Sequence, residues 1–329
     1  MISFNISNKI LHWYDNNKRD LPWRKPKSLQ QSQYFTLVSE IMLQQTQVIT
    51  VVPYFNKFIK ELPNFVKLSN VSDKKLYKLW EGLGYYSRAS NLKKAANIIV
   101  NKYKKKLPNT LKELKELPGI GEYTSRAILS LEFNKKVIPL DGNIERLLKR
   151  VLYLKRPDEI SKTSLMEKVD FFGHSNRQRD YVQSLMELGA LVCKPIDPKC
   201  NNCPITKYCS SFKYKDFKIK KKEKKNIIKY FESKVYINKN KIFLVKNNKF
   251  NFLKNFFIFP MHEINKNKFI SSKLEKTEIK LSNIIMKIII NKRNNCPKEK
   301  GLFLNLKKID EIILPSFTKK LYKLSQNLK

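Results

Sequence analysis

At 329 residues the chain is long enough for two cores, and its 67 Lys and Arg against 28 Asp and Glu leave a net charge of +39. That surplus predicts attraction to a polyanion with strong salt dependence, although lysine scattered among Asn and Ile, as in Ile237-Asn238-Lys239-Asn240-Lys241, is also what a nucleotide bias of the genome produces. Five cysteines, four of them clustered late, argue against an exported disulfide framework, and no apolar run reaches membrane-spanning length, so a soluble, cytoplasmic protein is expected.

Residues 2–15 read as an amphipathic helix, in which Asn5, Ser7, Asn8 and Lys9 interrupt the apolar stretch that a secretion signal would need. Pro22, within Leu21-Pro22-Trp23-Arg24, stops regular structure. A helix is predicted from Tyr34 to Val48, with Leu37, Val38, Ile41 and Met42 as its apolar stripe. Glu40 stands in it as the sole carboxylate between Asp20 and Glu61. Two readings of Glu40 stay open: an acid whose burial raises its pKa and holds a proton at neutral pH, or a half-exposed surface glutamate.

From Pro53 to Tyr103 the text is helical with short connections, and it contains Glu81-Gly82-Leu83-Gly84-Tyr85-Tyr86-Ser87-Arg88. Small residues there would let a nucleic acid strand approach and the aromatics could fill the space of an extruded base, yet the same text would serve as a core turn. Leu111, Leu114 and Leu117 then lead at helical spacing into Pro118-Gly119-Ile120-Gly121, and a second helical pattern through Tyr123, Ala127, Ile128 and Leu131 follows at once. This predicts helix, hairpin, helix. Gly119 and Gly121 beside a helix N-terminus suit a phosphate, while a Pro-Gly turn between packed helices explains them as well. The apolar run Val137 to Leu140 delivers Asp141-Gly142-Asn143 to another amphipathic helix, where Asp141 is placed as an N-cap and as a candidate catalyst.

Cys193, Cys200, Cys203 and Cys209 form C-x6-C-x2-C-x5-C. Zinc sites usually pair two C-x2-4-C knuckles, whereas four thiolates at this uneven spacing suit a cubane iron-sulfur cluster. The run Lys218 to Lys225 reads as a linker, and beyond it Ile227 to Asn238, Lys241 to Lys246 and Ser282 to Ile290 read as strands.

On these residues the chain resembles the helix-hairpin-helix superfamily of DNA base-excision glycosylases, whose signature is LPGIG followed, after a helix, by a catalytic Asp. Within it, Ser39 to Val48 (SEIMLQQTQV) is similar nearly letter for letter to the catalytic helix of the A/G-specific adenine glycosylases, the MutY family, although Leu37 departs from the Trp often found there. The resemblance implies that Glu40 and Asp141 are catalytic, with Tyr123 and Asn143 orienting them. It implies that Gln45 is a wedge where a base leaves the stack, that Leu83 and Tyr85 probe the minor groove, and that Gly119 and Gly121 hold backbone. Arg24, Leu43 and Glu187 fall on the substrate pocket, although Glu187 read by itself is equally an ordinary helix-surface acid. Endonuclease III carries a Lys where this chain has Tyr123, and without that amine hydrolysis is expected rather than strand cleavage. The four cysteines match the family's 4Fe-4S loop, in which Lys194 and Lys199 can reach phosphates.

In the C-terminal text, which lacks a Nudix hydrolase box, similarity to the family's 8-oxoguanine-reading domain persists in Asn255 to Pro260, in Leu281-Ser282-Asn283 and in Leu314-Pro315-Ser316. Ser282 is assigned to the opposite base, where Leu281 and Asn283 replace the usual Phe and His. The fold expected is mainly α: a two-lobed helical domain over residues 1–212 with the cluster loop at 193–209, a basic linker over 213–226, and a smaller α+β, Nudix-like domain over 227–329. The function expected is a monomeric DNA repair glycosylase that removes adenine mispaired with 8-oxoguanine or guanine in duplex DNA. Rival readings are a bifunctional glycosylase and lyase, a decayed protein that only binds DNA, and a zinc-stapled binding module.

Overall fold

A computed structural model describes residues 2–154, 161–219, 226–238, 240–254, 256–281, 283–293, 300–307 and 314–326. In chain order the helices are α1 (Ile2–Asn17), α2 (Leu29–Leu43), α3 (Val48–Glu61), α4 (Phe65–Ser69), α5 (Asp73–Trp80), α6 (Ser87–Asn101), α7 (Leu111–Glu116), α8 (Glu122–Phe133), α9 (Gly142–Val151), α10 (Lys162–Lys168), α11 (Gln178–Glu187), α12 (Ser210–Lys213), α13 (Lys266–Ser271) and α14 (Ser316–Gln326). The strands are β1 (Ile227–Asn238), β2 (Lys241–Lys246), β3 (Phe257–Ile258), β4 (Met261–Ile264), β5 (Glu275–Leu281), β6 (Ile284–Arg293) and β7 (Leu302–Asn305). The chain divides into two compact units, one of Met1–Asp73 with Tyr85–Lys222 and one of Lys74–Gly84 with Glu223–Lys329.

Among its described residues the first unit is all helix, turn and loop. Ser28 starts α2 by accepting from the Gln31 N–H, as an N-cap should. Tyr34, Phe35, Leu37, Val38, Ile41 and Met42 are all buried, so α2 is enclosed on every side rather than amphipathic. Around one end of it, Phe35, Phe55 and Trp23 interlock edge to face, and Tyr34 meets Phe65 in the same way at 5.0 Å. A second cluster joins Ile6 and Ile10 of α1 to Ala127 of α8, Leu147 and Leu148 of α9, and Tyr181 and Leu185 of α11. The helix predicted to run to Val48 ends at Leu43, because Gln45 turns into left-handed backbone at φ 56° before α3 begins.

The second unit is a mixed sheet in the order β3-β2-β1-β6-β5, with β4 also paired to β1 and β7 to β2. The long β1 runs parallel to β6 over ten residue pairs, Ile227↔Ile284 through Tyr236↔Arg293, while β5 and β6 form an antiparallel hairpin closed by Leu281↔Ile284. Phe231, Val235, Met286, Ile288 and Ile290 from these strands meet Phe317 and Leu321 of α14 in one core. Lys74–Gly84 belongs to this unit, where Glu81 pairs with Lys319 at 2.6 Å and Tyr77 packs edge-on against Phe256. Leu281 packs on the sheet core and Asn283 is exposed, whereas Ser282, Cys296 and the middle of the basic linker lie outside the described residues. Among the described residues no helix is long and apolar enough to cross a membrane.

Candidate active site

A cavity of about 560 Å³ opens in the first unit, and Arg24, Glu40, Leu43, Gln45, Tyr123, Asp141, Asn143 and Glu187 all line it. Three local features bring them there. The buried helix α2 carries Glu40 inward at 8% exposure, which removes the surface reading of that residue. The turn after α7 puts Tyr123 into the first turn of α8. The run Val137 to Leu140 ends at Asp141, which caps α9 by accepting from the Asn143 N–H at 3.0 Å and the Ile144 N–H at 2.7 Å. Asp141 is thus both a cap and a lining residue of the cavity.

The two carboxyls sit in different environments. Burial pushes Glu40 up to about 7 from its ordinary 4.5; a hydrogen bond with Tyr123 pulls against that rise and the charge of Asp141 adds to it. Burial also raises Asp141, but the Ile144 and Asn143 N–H groups, the Asn143 side chain at 2.9 Å and the Arg146 guanidinium all favour its ionised form. These partners resist the rise at Asp141, whereas at Glu40 only the Tyr123 hydrogen bond resists it. The Tyr123 hydroxyl is raised by burial and by both acids, so it stays a donor.

Asn143 is itself held. Arg146, one helical turn on, donates to Asn143 Oδ1 at 2.9 Å, to the Gly189 carbonyl at 2.6 Å and to the Cys193 carbonyl at 2.7 Å. A Cβ on Gly189 would come within 2.6 Å of the Asn143 Cβ, so glycine is required for that contact. Glu187 is fully buried and accepts from Arg19 at 2.8 and 3.1 Å and from Arg24 at 2.8 Å, which excludes a helix-surface role. Arg19, Thr36, Arg179 and Gln183 also line the cavity and were not singled out in the sequence. No local signal in the sequence marks Arg19 as a partner of Glu187, since the two lie 168 positions apart.

Apart from Gln45, which also lines the cavity, the remaining candidates lie elsewhere. Gly119 has φ +84°, and a Cβ there would sit 3.0 Å from the Asn91 Cβ; Gly121 starts α8 without a side-chain cap and has open space before it. Gln45 and Tyr85 are exposed and both left-handed, whereas Leu83 is 6% exposed and turned into the fold. Cys193, Cys200, Cys203 and Cys209 face a separate apolar chamber with Leu147, Val151, Ile205 and Phe217, and none forms a disulfide. Arg150 donates to the Cys193 sulfur at 3.4 Å and to the Lys194 and Pro195 carbonyls, which fastens the first part of that loop. Among the described residues no three potential ligands take the arrangement of a single-ion site. The four thiols thus share one apolar chamber beside the Arg150 guanidinium, and burial pushes Cys200, Cys203 and Cys209 up.

A profile described as HhH-GPD superfamily base excision DNA repair protein matches residues 38–170. The chain is 40% identical over 283 residues to the adenine DNA glycosylase of Buchnera aphidicola subsp. Baizongia pistaciae, covering 84% of this chain and 79% of that one. It is 34% identical to the adenine DNA glycosylase of Buchnera aphidicola subsp. Schizaphis graminum, covering 98% and 99%. Among solved structures, a thermostable thymine-DNA glycosylase superposes with a TM-score of 0.57 at 28% identity, over 64% of this chain and 97% of that one.

Proposed function

The chain belongs to the adenine DNA glycosylases of the HhH-GPD superfamily, and on that premise we propose that its cavity hydrolyses the N-glycosidic bond of an adenine opposite 8-oxoguanine or guanine in duplex DNA. The protein acts as a monofunctional base-excision glycosylase and leaves an abasic site. The observation that carries the mechanism is the pair of acids on one cavity: Glu40, which burial pushes up to about 7, and Asp141, which burial also raises while the Ile144 and Asn143 N–H groups favour its ionised form.

A base inside a duplex cannot reach these groups, so the adenosine must leave the stack. The glycines of the hairpin hold the backbone, Gln45 and Tyr85 occupy the gap, and Arg24, Leu43 and Glu187 surround the extruded base. Adenine leaves poorly until a ring nitrogen is protonated, and Glu40 gives that proton. As the bond to the sugar breaks, positive charge grows on the ring and Asp141 stabilises it. Glu40, now a carboxylate, takes a proton from the attacking water. Tyr123 and Asn143 fix the orientation of the two acids through their hydrogen bonds. A lyase needs an amine nucleophile, and among the described residues no lysine lines the cavity.

The four cysteines are the residues that would hold a 4Fe-4S cluster, whose contribution would be to brace the loop that carries Lys194 and Lys199, since a hydrolysis needs no electrons. Cys200→Ser is expected to lower iron content and folded yield together, read by iron assay and by the brown absorbance near roughly 400 nm. Full iron retention, or stoichiometric zinc in the wild type, would remove the cluster.

The opposite base is tested by single-turnover excision on duplexes that differ at one position, with alkali to cut the abasic product. Adenine opposite 8-oxoguanine is expected to react fastest and adenine opposite thymine not at all. The margin over guanine is expected to be small, because Leu281 and Asn283 withhold an aromatic face and an imidazole, each worth about 1 to 3 kcal/mol of discrimination. Leu281→Phe with Asn283→His should widen the margin; an unchanged ratio removes the stretch from base reading.

A further inference from the structure

Helix α2 ends under one side chain. Arg88, in α6 and 8% exposed, places Nη1 within 3.1 Å of the Ile41 carbonyl, 2.8 Å of the Met42 carbonyl and 2.5 Å of the Gln44 carbonyl, and Nη2 within 3.3 Å of Thr46 Oγ1. The last carbonyls of a helix have no partners within it and carry its negative end, so a buried guanidinium there both satisfies them and complements the dipole. The acceptors bracket Gln45. That residue is neither glycine nor asparagine, yet it stands at φ 56°. Backbone of that kind persists where its surroundings over-determine it.

The same guanidinium lies 5.6 Å from the ring centroid of Tyr85, and the Arg88 backbone N–H donates to the Tyr85 carbonyl at 2.9 Å. Tyr85 is the second left-handed residue of the pair, at φ 46°, and 49% exposed. One planar group thus contacts both segments, Gln44 to Thr46 by hydrogen bonds and Tyr85 by its ring.

We propose that Arg88 is a positioning residue that sets Gln45 and Tyr85 as a single unit, so that both enter the duplex together when adenine leaves the stack. Arg88 itself touches neither the base nor the reacting atoms, and it acts on extrusion, not on bond cleavage. The proposal rests on the glycosylase reading given above.

Arg88→Lys keeps the charge and removes the fork, because an ammonium cannot reach several carbonyls and stack on a ring at once. Wild type and variant are compared on an adenine opposite 8-oxoguanine and on the same adenine opposite an abasic-site analogue, where there is no pair to break. Excision of the paired adenine is expected to fall roughly tenfold, and that of the unpaired one by less than about threefold, with the pH midpoint unchanged. Gln45→Ala should cost little more in the Arg88→Lys background than Arg88→Lys alone, since both disturb one unit. Equal loss on both substrates, or additive losses in the double variant, would overturn the proposal. If Arg88→Lys does not fold, Thr46→Val removes one acceptor and should show the same asymmetry at smaller size; symmetry there also overturns it. Failure of the wild type on both duplexes would instead remove the glycosylase reading, and this inference with it.

Discussion

Glu40→Gln is expected to lose adenine release by roughly 10²- to 10⁴-fold, the usual range for deletion of a general acid, while duplex binding is retained and the folded state becomes more stable. The two effects share one cause. A carboxyl raised by burial to about 7 is costly to ionise inside the fold, so the folded state is favoured most below about pH 4.5 and loses that advantage as pH rises through about 7. Above that the cost amounts to something on the order of 3 kcal/mol, and a neutral amide of the same shape avoids it. The variant should therefore resist urea better than the wild type at about pH 8, with a smaller difference at about pH 5. Stabilisation with intact excision would make Glu40 a buried structural acid; a variant without either effect would mean that Glu40 is not held protonated.

Asp141→Asn separates charge from shape. Asn caps a helix about as well as Asp, so the Asn143 and Ile144 N–H groups at the start of α9 keep their acceptor. What changes is the negative charge beside the sugar and the fit to the Asn143 amide, which now meets a second amide across 2.9 Å. Loss of an electrostatic stabiliser predicts a fall of roughly 10²- to 10³-fold in the cleavage step, with a stability change under about 1 kcal/mol. Single-turnover rates and urea midpoints of the two proteins check both halves. A rate within about threefold of wild type would leave Asp141 as a cap alone.

Much of the first unit was legible because its signals are local. Gly119 and Gly121 announced a hairpin, the spacing of four cysteines announced one shared site, and Asp141 before Ile144 and Leu147 announced a capped helix. The end of α2 was not legible, since Met42 to Gln47 has no Gly or Pro, and the partner of its last carbonyls, Arg88, lies more than forty residues away in sequence. The burial of Glu187 was hidden for the same reason: its partners, Arg19 and Arg24, reach it from the opposite end of the unit's sequence. In the second unit β1, β2 and β6 were readable from runs of Ile, Val and Phe, whereas the shorter or more polar β3, β4, β5 and β7 were not, and the parallel pairing of β1 with β6 joins segments that composition cannot connect. The capture of Lys74–Gly84 by that unit depends on Glu81 meeting Lys319 and Tyr77 meeting Phe256, pairs no periodicity reveals.

The mechanism requires that a proton resident on Glu40 leave with adenine. It is tested most directly by the pH dependence of the single-turnover excision rate at subsaturating enzyme, at constant ionic strength, from about pH 5 to about pH 9, since that rate reports groups of the free enzyme. The wild type is expected to lose activity tenfold per pH unit above a midpoint near 7, where Glu40 gives up its proton, and the residual rate of Glu40→Gln should be flat over the same range. A wild-type rate that stays level or rises through that midpoint, or a Glu40→Gln profile that keeps the same fall, would contradict it.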